Sequence, residues 1–405
     1  MLKKLSTISA FIVGVIFCGM VAYGSIIVTD RDSSHNEIDM PELNSNGVIV
    51  VDMATGYTIY EKNMYEKFYP ASTTKIMTAT VVMDKGNMDD IVTFSHDAVF
   101  SIESGSSAAF VDEGEKLTVR QCMYGLIVIS ANDLANGLAE HISGSNEEFA
   151  KLMNKKAAEL GCVNTNFTNP HGLHDDNHYT CAYDLAIMGL NAYRNYDFYR
   201  ELISTQMYEV PPTNKQSETR YWSNTNKLFN KNEKYYYEDC IGGKSGFTDE
   251  AGMTLVSYAR INGRSIMVVT LGAKGATQVY ADHTTIYDYI KENVSEDYFE
   301  QIEAKYNEYK ESNVDNTTNI SNSDTNNDKN VPASTTTTEK RGSNIFLTIL
   351  KVIGIIVLVV IALIILLYIV LIIRLKIHRM KRRKRMLERK RRYNSELFFN
   401  MKDED

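Results

Sequence analysis

The sequence has few cysteines and no internal repeat. Only five cysteines occur in 405 residues, and Cys18 lies in an apolar segment near the N-terminus. The other four match no zinc-ribbon spacing and are too sparse for a dense disulfide scaffold, so we expect buried free thiols at Cys122, Cys162, Cys181 and Cys240. The chain also contains no His-Glu-x-x-His sequence, the helical motif of many zinc hydrolases.

Two apolar segments lie near the ends of the chain. Residues 8–28 are uncharged and follow two lysines, which is typical of an export signal or an uncleaved signal anchor. Residues 352–373 contain no charged side chain and are long enough to cross a bilayer as one helix. We therefore predict a signal peptide or signal anchor over residues 1–29 and a transmembrane helix over residues 345–373.

Charge is divided unevenly along the chain. Residues 374–405 follow the predicted span and are rich in lysine and arginine, so the positive-inside rule predicts a basic cytoplasmic tail. Residues 30–344 carry 27 lysines and arginines against 46 aspartates and glutamates, a net charge of −19. We expect this acidic part to lie outside the cytoplasm at the cell membrane, and its charge argues against a nucleic-acid partner.

Hydrophobic periodicity predicts an α+β domain over residues 38–295. Residues 46–62 contain two strand-like runs around a turn, and Asn262-Gly263 between two runs of β-forming residues is a strong hairpin signal. The region between, from residue 119 to 161, has helical spacing, so the first and last strands should share one sheet. Residues 296–343 contain a long Ser, Thr, Asn and Asp stretch, and we predict a largely disordered stalk there.

Ser72-Thr73-Thr74-Lys75 carries the strongest chemical signal. The Ser-x-x-Lys spacing puts a hydroxyl and an amine on one face of a helix, one turn apart. A serine becomes a nucleophile when a base takes its proton, and a lysine can act as that base where burial or a nearby cation lowers its pKa. Taken alone, the pattern also fits an ordinary helix start, with Ser72 as the N-cap and Lys75 solvated.

Ser130-Ala131-Asn132 follows a largely apolar stretch. The Ser130 hydroxyl could pass a proton to the leaving amine of an acyl-transfer reaction, and Asn132 could hold the substrate amide. By itself this tripeptide is equally an ordinary helix cap.

Lys244-Ser245-Gly246 stands beside a strand-like segment. Lys244 would add positive charge that keeps Lys75 deprotonated, and the Ser245 hydroxyl could bind a terminal carboxylate. Gly246 would let the strand approach the substrate, and the backbone N–H groups of Ser72 and Phe247 are the expected oxyanion donors. Each motif alone could be an ordinary helix start, helix cap or turn. The presence of all three in this order favours a catalytic site.

With these motifs, the chain resembles the serine D-alanyl-D-alanine carboxypeptidases, which are low-molecular-mass penicillin-binding proteins. The resemblance covers residues 45–292. It extends to further segments: Asn169-Pro170-His171-Gly172-Leu173, Asp184-Leu185-Ala186, Asn224-Thr225-Asn226 and Gly243-Lys244-Ser245-Gly246-Phe247-Thr248. The resemblance implies a helical cluster on a five-stranded antiparallel sheet, as in β-lactamases and transpeptidases. It also implies cleavage of the terminal D-Ala from peptidoglycan pentapeptides, covalent binding of β-lactams, and no cofactor.

The chain departs from the family pattern at two positions. Ser245 stands where many relatives carry threonine, which keeps the hydroxyl. Many relatives bind the substrate carboxylate with an arginine after the last strand, and this chain has only Lys274 there. Many relatives also carry a second β-rich domain and an amphipathic membrane helix, which the predicted stalk and span replace.

Other functions stay open on sequence alone. A metal hydrolase is one, because several potential ligands lie close together: His171, His174, Asp175, Asp176, His178 and Cys181. A non-catalytic peptidoglycan or β-lactam sensor, a transpeptidase and a β-lactamase are the others. We favour the carboxypeptidase and expect no metal.

Overall fold

The structure is a computed structural model that describes residues 38–103 and 105–320. The predicted signal segment, transmembrane helix and basic tail lie outside these residues. Within the described ranges, no helix is long and apolar enough to cross a membrane.

Nine strands form three sheets in the described residues. In chain order they are β1 (Gly47–Asp52), β2 (Thr58–Lys62), β3 (Ile91–Thr93), β4 (Lys116–Thr118), β5 (Met207–Val210), β6 (Arg220–Ser223), β7 (Cys240–Thr248), β8 (Gly252–Ile261) and β9 (Arg264–Ala273). The main sheet has five antiparallel strands in the order β2-β1-β9-β8-β7. The prediction that the first and last strands share one sheet is therefore confirmed, since β1 pairs with β9.

The helices in the described residues surround this sheet. They are α1 (Lys75–Lys85), α2 (His96–Phe100), α3 (Val119–Val128), α4 (Asn132–Ser143), α5 (Asn146–Glu159), α6 (Ala182–Asn195), α7 (Asp197–Ile203), α8 (Ala276–Asn293) and α9 (Glu296–Ile320), and a 3₁₀ turn, Ala71–Thr74, precedes α1. The α+β prediction is confirmed, and the helical region from residue 119 is divided at Ser130, between α3 and α4.

Both faces of the main sheet are covered, which explains why β1 is a continuous apolar run. Successive side chains of a strand point to opposite faces. Ile49 and Val51 pack in the larger core with α1, α3, α4 and α6, whereas Val48 and Val50 pack in a second core with α8 and α9. The β8–β9 hairpin turns at Asn262 and Gly263, both with positive φ, as the Asn-Gly pair predicts.

The segment after residue 295 differs from the predicted stalk. It begins as α9, and Phe299 and Ile302 are buried in the second core. Arg264 of β9 also pairs with Glu296 at 2.7 Å and with Glu303 at 2.6 Å. The folded body thus continues to at least Ile302, because a few apolar residues at helical spacing contact the sheet although the surrounding composition is polar.

The four cysteines of the described residues are free and buried, as expected. Burial raises the pKa of Cys181 and of Cys240 to about 12, so both stay thiols at neutral pH.

Candidate active site

The nucleophile candidate lies on a tightly held turn. Ser72 is half-buried within the 3₁₀ turn, and Ala71 before it has a φ of +48°, an unusual conformation for a residue other than glycine. The Pro70 carbonyl accepts hydrogen bonds from Thr73 Oγ1 at 2.7 Å and from Thr254 Oγ1 of β8 at 2.9 Å. The first bond closes the turn on itself, and the second fixes it to the main sheet.

Lys75 is fully buried beneath this turn. Its Nζ lies 3.0 Å from Ser72 Oγ, 2.7 Å from Asn132 Oδ1 and 2.7 Å from the His171 carbonyl oxygen. Burial, and then the charge of Lys244, hold the pKa of Lys75 well below its ordinary value. The amine is therefore disposed to be neutral.

The three partners of Lys75 match a neutral amine. Asn132 Oδ1 and the His171 carbonyl oxygen only accept hydrogen bonds, so they take the two N–H donors of an uncharged amine. The remaining lone pair then faces Ser72 Oγ and can accept the serine proton. The geometry thus joins a nucleophile to an oriented base.

Ser130 and Lys244 form a second hydrogen-bonded pair at the site. We call the region between the Ser72 turn, Ser130 and β7 the cleft. Ser130 lies between α3 and α4 with a φ of +62°, and its Oγ accepts a hydrogen bond from Lys244 Nζ at 2.9 Å. Lys244 also donates to the Ser245 carbonyl oxygen at 2.7 Å. Burial lowers the pKa of Lys244 to about 7.

Gly246 allows β7 to approach the nucleophile turn closely. A Cβ atom at this position would lie 2.6 Å from the Ser72 backbone nitrogen, so no other residue fits without displacing the turn. β7 is an edge strand, and every second N–H of an edge strand points away from the sheet. The predicted oxyanion site needs a Phe247 N–H that is not paired within the sheet and that lies close to the Ser72 N–H. An edge strand beside the turn can supply such a group.

Comparison with known proteins agrees with this arrangement. A sequence model of the D-alanyl-D-alanine carboxypeptidase family matches residues 34–275. The chain belongs to this family. D-alanyl-D-alanine carboxypeptidase DacF of Bacillus subtilis is 36% identical over 252 residues, 60% of this chain and 61% of the relative. DacC of Escherichia coli is 31% identical over 253 residues, 60% of each chain. The chain thus spans about three fifths of the length of these curated relatives.

Solved structures give the same result. The Streptomyces K15 DD-transpeptidase aligns with a TM-score of 0.57 at 30% sequence identity, over 62% of this chain and 98% of that protein. A D-alanyl-D-alanine carboxypeptidase of Mycobacterium tuberculosis aligns with a TM-score of 0.57 at 25% identity, over 65% of this chain and 95% of that protein.

Most predicted site residues of this family member converge, but Ser245 faces elsewhere. Lys244 and Ser245 are neighbours on a strand and point to opposite faces. Lys244 Nζ contacts Ser130 Oγ, whereas Ser245 pairs with Leu255 of β8, whose side chain packs with Tyr280 of α8 on the other face of the sheet. A role for Ser245 in binding the substrate carboxylate stays a prediction.

Asp133 has a structural role that the sequence motifs did not predict. This buried carboxylate accepts hydrogen bonds from the backbone N–H groups of Ala109, at 2.9 Å, and Val111, at 3.3 Å. Burial raises its pKa and these donors lower it. The Asn132 N–H also donates to the Ser107 carbonyl at 2.8 Å, so α4 holds this loop beside the site. An acidic residue in the first turn of a helix was the available signal.

Two of the three candidate metal-binding histidines, His171 and His178, use a ring nitrogen in hydrogen bonds within the protein. His178 Nδ1 lies 3.0 Å from the Thr168 N–H donor, so its other nitrogen carries the proton and donates to Thr74 Oγ1 at 2.8 Å. His171 Nδ1 accepts from the Leu173 N–H at 3.1 Å. Across residues 38–103 and 105–320, no group of three or more acidic, histidine or cysteine side chains could hold a metal ion.

Proposed function

We propose that this protein removes the terminal D-Ala from peptidoglycan pentapeptide stems through an acyl-enzyme on Ser72. The observation that carries this proposal is the 3.0 Å contact between Ser72 Oγ and the buried Lys75 Nζ. Family membership supports the substrate class, since the matching family model is described as D-alanyl-D-alanine carboxypeptidase.

Acylation would begin with proton transfer from Ser72 Oγ to the lone pair of Lys75. The serine oxygen then bonds to the carbonyl carbon of the penultimate D-Ala, and negative charge develops on the carbonyl oxygen. The N–H groups of Ser72 and Phe247 are the proposed donors to that oxyanion. Asn132 both positions Lys75 at 2.7 Å and is available to hold the substrate amide.

Release of D-Ala requires a proton on its leaving amine. We assign this transfer to Ser130, whose hydroxyl contacts Lys244 Nζ at 2.9 Å. The proton that Lys75 took from Ser72 would replace the one that Ser130 gives to the amine. Water would then attack the ester carbonyl while Lys75 takes one of its protons, and as the acyl–oxygen bond breaks, Lys75 gives that proton to the leaving Ser72 Oγ. The products are free D-Ala and a tetrapeptide stem.

Lys274 is a second candidate, with Ser245, for binding the substrate carboxylate. A cavity of about 520 Å³ adjoins the exposed Phe247 side chain, and it is lined by residues that include Tyr69, Glu250 and Lys274. Lys274 supplies a positive charge there at the chain position where many relatives carry arginine.

Transpeptidation is a second candidate function, in which an amine instead of water accepts the acyl group. Relatives from Streptomyces K15 carry both names: a curated sequence is called a D-alanyl-D-alanine carboxypeptidase, and a solved structure is called a DD-transpeptidase. The motifs serve both reactions alike.

Two incubations separate these possibilities, one with a muropeptide and a parallel one with penicillin. The purified protein is mixed with a muropeptide ending in D-Ala-D-Ala, with and without an acceptor amine, and the products are identified by mass spectrometry. Free D-Ala and the tetrapeptide are expected. Mainly cross-linked dimers would favour the transpeptidase, rapid penicillin turnover without D-Ala release would favour a β-lactamase, and a penicillin adduct with no muropeptide reaction would favour a sensor.

We also propose that the catalytic domain lies outside the cytoplasm, attached to the cell membrane, with residues 374–405 on the cytoplasmic side. The charge distribution of the sequence supports this topology. Protease added to intact cells should degrade residues 30–340 and leave the basic tail protected. Cleavage of the tail from outside would contradict the proposal.

A further inference from the structure

A second cavity, of about 670 Å³, lies at the β8–β9 hairpin. Its Arg260 is six positions along β8 from Thr254, which touches the nucleophile turn, so the two places are about 20 Å apart. Six arginines occur in the described residues, and four of them line this cavity: Arg194, Arg200, Arg260 and Arg264. Such a concentration stands out in a region whose net charge is −19.

Two of these arginines form no ion pair with a carboxylate of the described residues, whereas Arg264 pairs with Glu296 and Glu303, which also line the cavity. Arg194 donates to backbone carbonyls, those of Met53 and Ala54, and pairs with no carboxylate in the part of the chain that the structure describes. The Arg260 side chain is exposed and has no hydrogen-bond or ion-pair partner among the described residues. Arg200, by contrast, pairs with Asp197.

The same cavity contains one buried acceptor that lacks a donor. Asp52 is fully buried, and its Oδ2 accepts from the Thr55 N–H at 2.9 Å and the Thr55 hydroxyl at 2.6 Å. Its Oδ1 has no hydrogen-bond partner in the described residues. A buried oxygen of this kind is normally satisfied by a hydrogen-bond donor. The cavity therefore offers guanidinium donors on one side and an acceptor on another.

We propose that this cavity binds a phosphate ester that carries a neighbouring hydroxyl group. A planar carboxylate is satisfied by one guanidinium, whereas a tetrahedral phosphate presents several oxygens that guanidinium groups from different elements can meet. Arg194 comes from α6, Arg200 from α7 and Arg260 from β8. The hydroxyl would donate to Asp52 Oδ1. The cavity volume is in the range of small-molecule sites.

The test uses the full-length protein in neutral detergent and isothermal titration calorimetry with glycerol 3-phosphate. We expect saturable binding that Arg260→Gln weakens about tenfold, because it removes one charged hydrogen-bonding group. Arg120→Gln is the matched control: Arg120 lies over the Phe198 ring at 4.7 Å and does not line the cavity, so its affinity should change less than about twofold. Labelling of Ser72 by penicillin should be the same in both variants.

Further ligands identify the source and the chemical class. Tighter binding of short-chain phosphatidylglycerol than of a glycerol phosphate oligomer would support a lipid head group, and the reverse order would support a wall polymer. Glycerate keeps the hydroxyl and replaces phosphate by carboxylate. The proposal is overturned if glycerate binds as tightly as glycerol 3-phosphate, if no saturation occurs, or if the two arginine variants lose affinity equally.

Discussion

Ser72 and Ser257 each contact a nitrogen base, in two different regions of this domain. Ser72 lies 3.0 Å from Lys75 in the cleft, and Ser257 of β8 lies 2.6 Å from His283 Nδ1 beneath α8. Ser72 is half-buried, whereas Ser257 and His283 are completely buried. Both pairs therefore bring a hydroxyl close to a base, but only the Ser72 hydroxyl belongs to a residue that solvent can reach.

The partners of the two bases explain the difference further. His283 has both ring nitrogens occupied, since Nε2 lies 2.8 Å from Thr270 Oγ1, and Ser257 also bonds Tyr287 at 2.6 Å. Lys75 keeps one lone pair for Ser72. The comparison shows that a reactive pair needs access for the substrate and a base with a free lone pair. When every hydrogen-bonding group of such a pair has a partner, the pair forms a buried polar network instead.

Substitution of the two serines is the strongest way to break this comparison. Ser72→Ala should abolish labelling by a fluorescent penicillin and lower D-Ala release by at least about 10³-fold, because no oxygen remains to form the ester. Ser257→Ala should keep labelling while costing about 1–3 kcal/mol of unfolding free energy through unsatisfied neighbours. Persistent labelling of Ser72→Ala would mean that another residue is the nucleophile.

The second core can be weakened without touching the cleft. Phe299→Ala removes a buried ring from α9 and should cost about 3–5 kcal/mol of unfolding free energy in urea titrations. Phe100→Ala, at a ring that is 63% exposed, should cost less than about 0.5 kcal/mol. Equal costs would argue that α9 does not pack on the domain.

Lys244→Gln sharpens the account of the cleft. Removing its charge takes away one cause of the low pKa of Lys75, so that pKa should rise. The acid limb of the acylation pH profile should therefore move to higher pH, and the rate at pH 7 should fall about 10²-fold. Lys85→Gln removes an exposed lysine and is the charge-matched control. An unmoved acid limb would show that Lys244 does not influence the base.

The buried histidine should reveal itself in the pH dependence of stability. Burial lowers the pKa of His283 from 6.5 to about 3, so the unfolded state binds the extra proton in that interval. Stability should be lost as the pH falls below 6.5, by about 2 kcal/mol at pH 5 from this group alone. Urea titrations of His283→Gln should show a shallower loss. Identical slopes would contradict a neutral buried His283.

Periodicity and local motifs were enough to predict the two hairpins of the main sheet and the helical region between them, but not the short strands β3 to β6. The Asn262-Gly263 turn and the Ser-x-x-Lys spacing each depend on residues close in the chain, and both have the expected geometry. Strand alternation could also have indicated that Lys244 and Ser245 face opposite sides.

Features that depend on approach of distant segments could not be predicted. The His171 carbonyl meets Lys75 across 96 positions of sequence, and Asp133 holds a loop 22 to 24 positions earlier. Gly172 lies so close to the turn that a Cβ there would be 1.8 Å from the Ala71 carbonyl oxygen. The burial of Phe299 was missed because a polar composition hid a short apolar contact surface.

The pairing of β1 with β9 also has a consequence for how the chain folds. Gly47 pairs with Leu271, so the second strand neighbour of β1 is synthesised only after nearly the whole domain. Closing so long a loop makes folding slow compared with proteins built from local contacts. Until β9 has been synthesised, β1 can pair with β2 alone, and the edge of β1 that faces β9 stays unpaired. Reactivity with penicillin would then appear only when β9 pairs with β1, so the time course of labelling would measure the rate of this pairing.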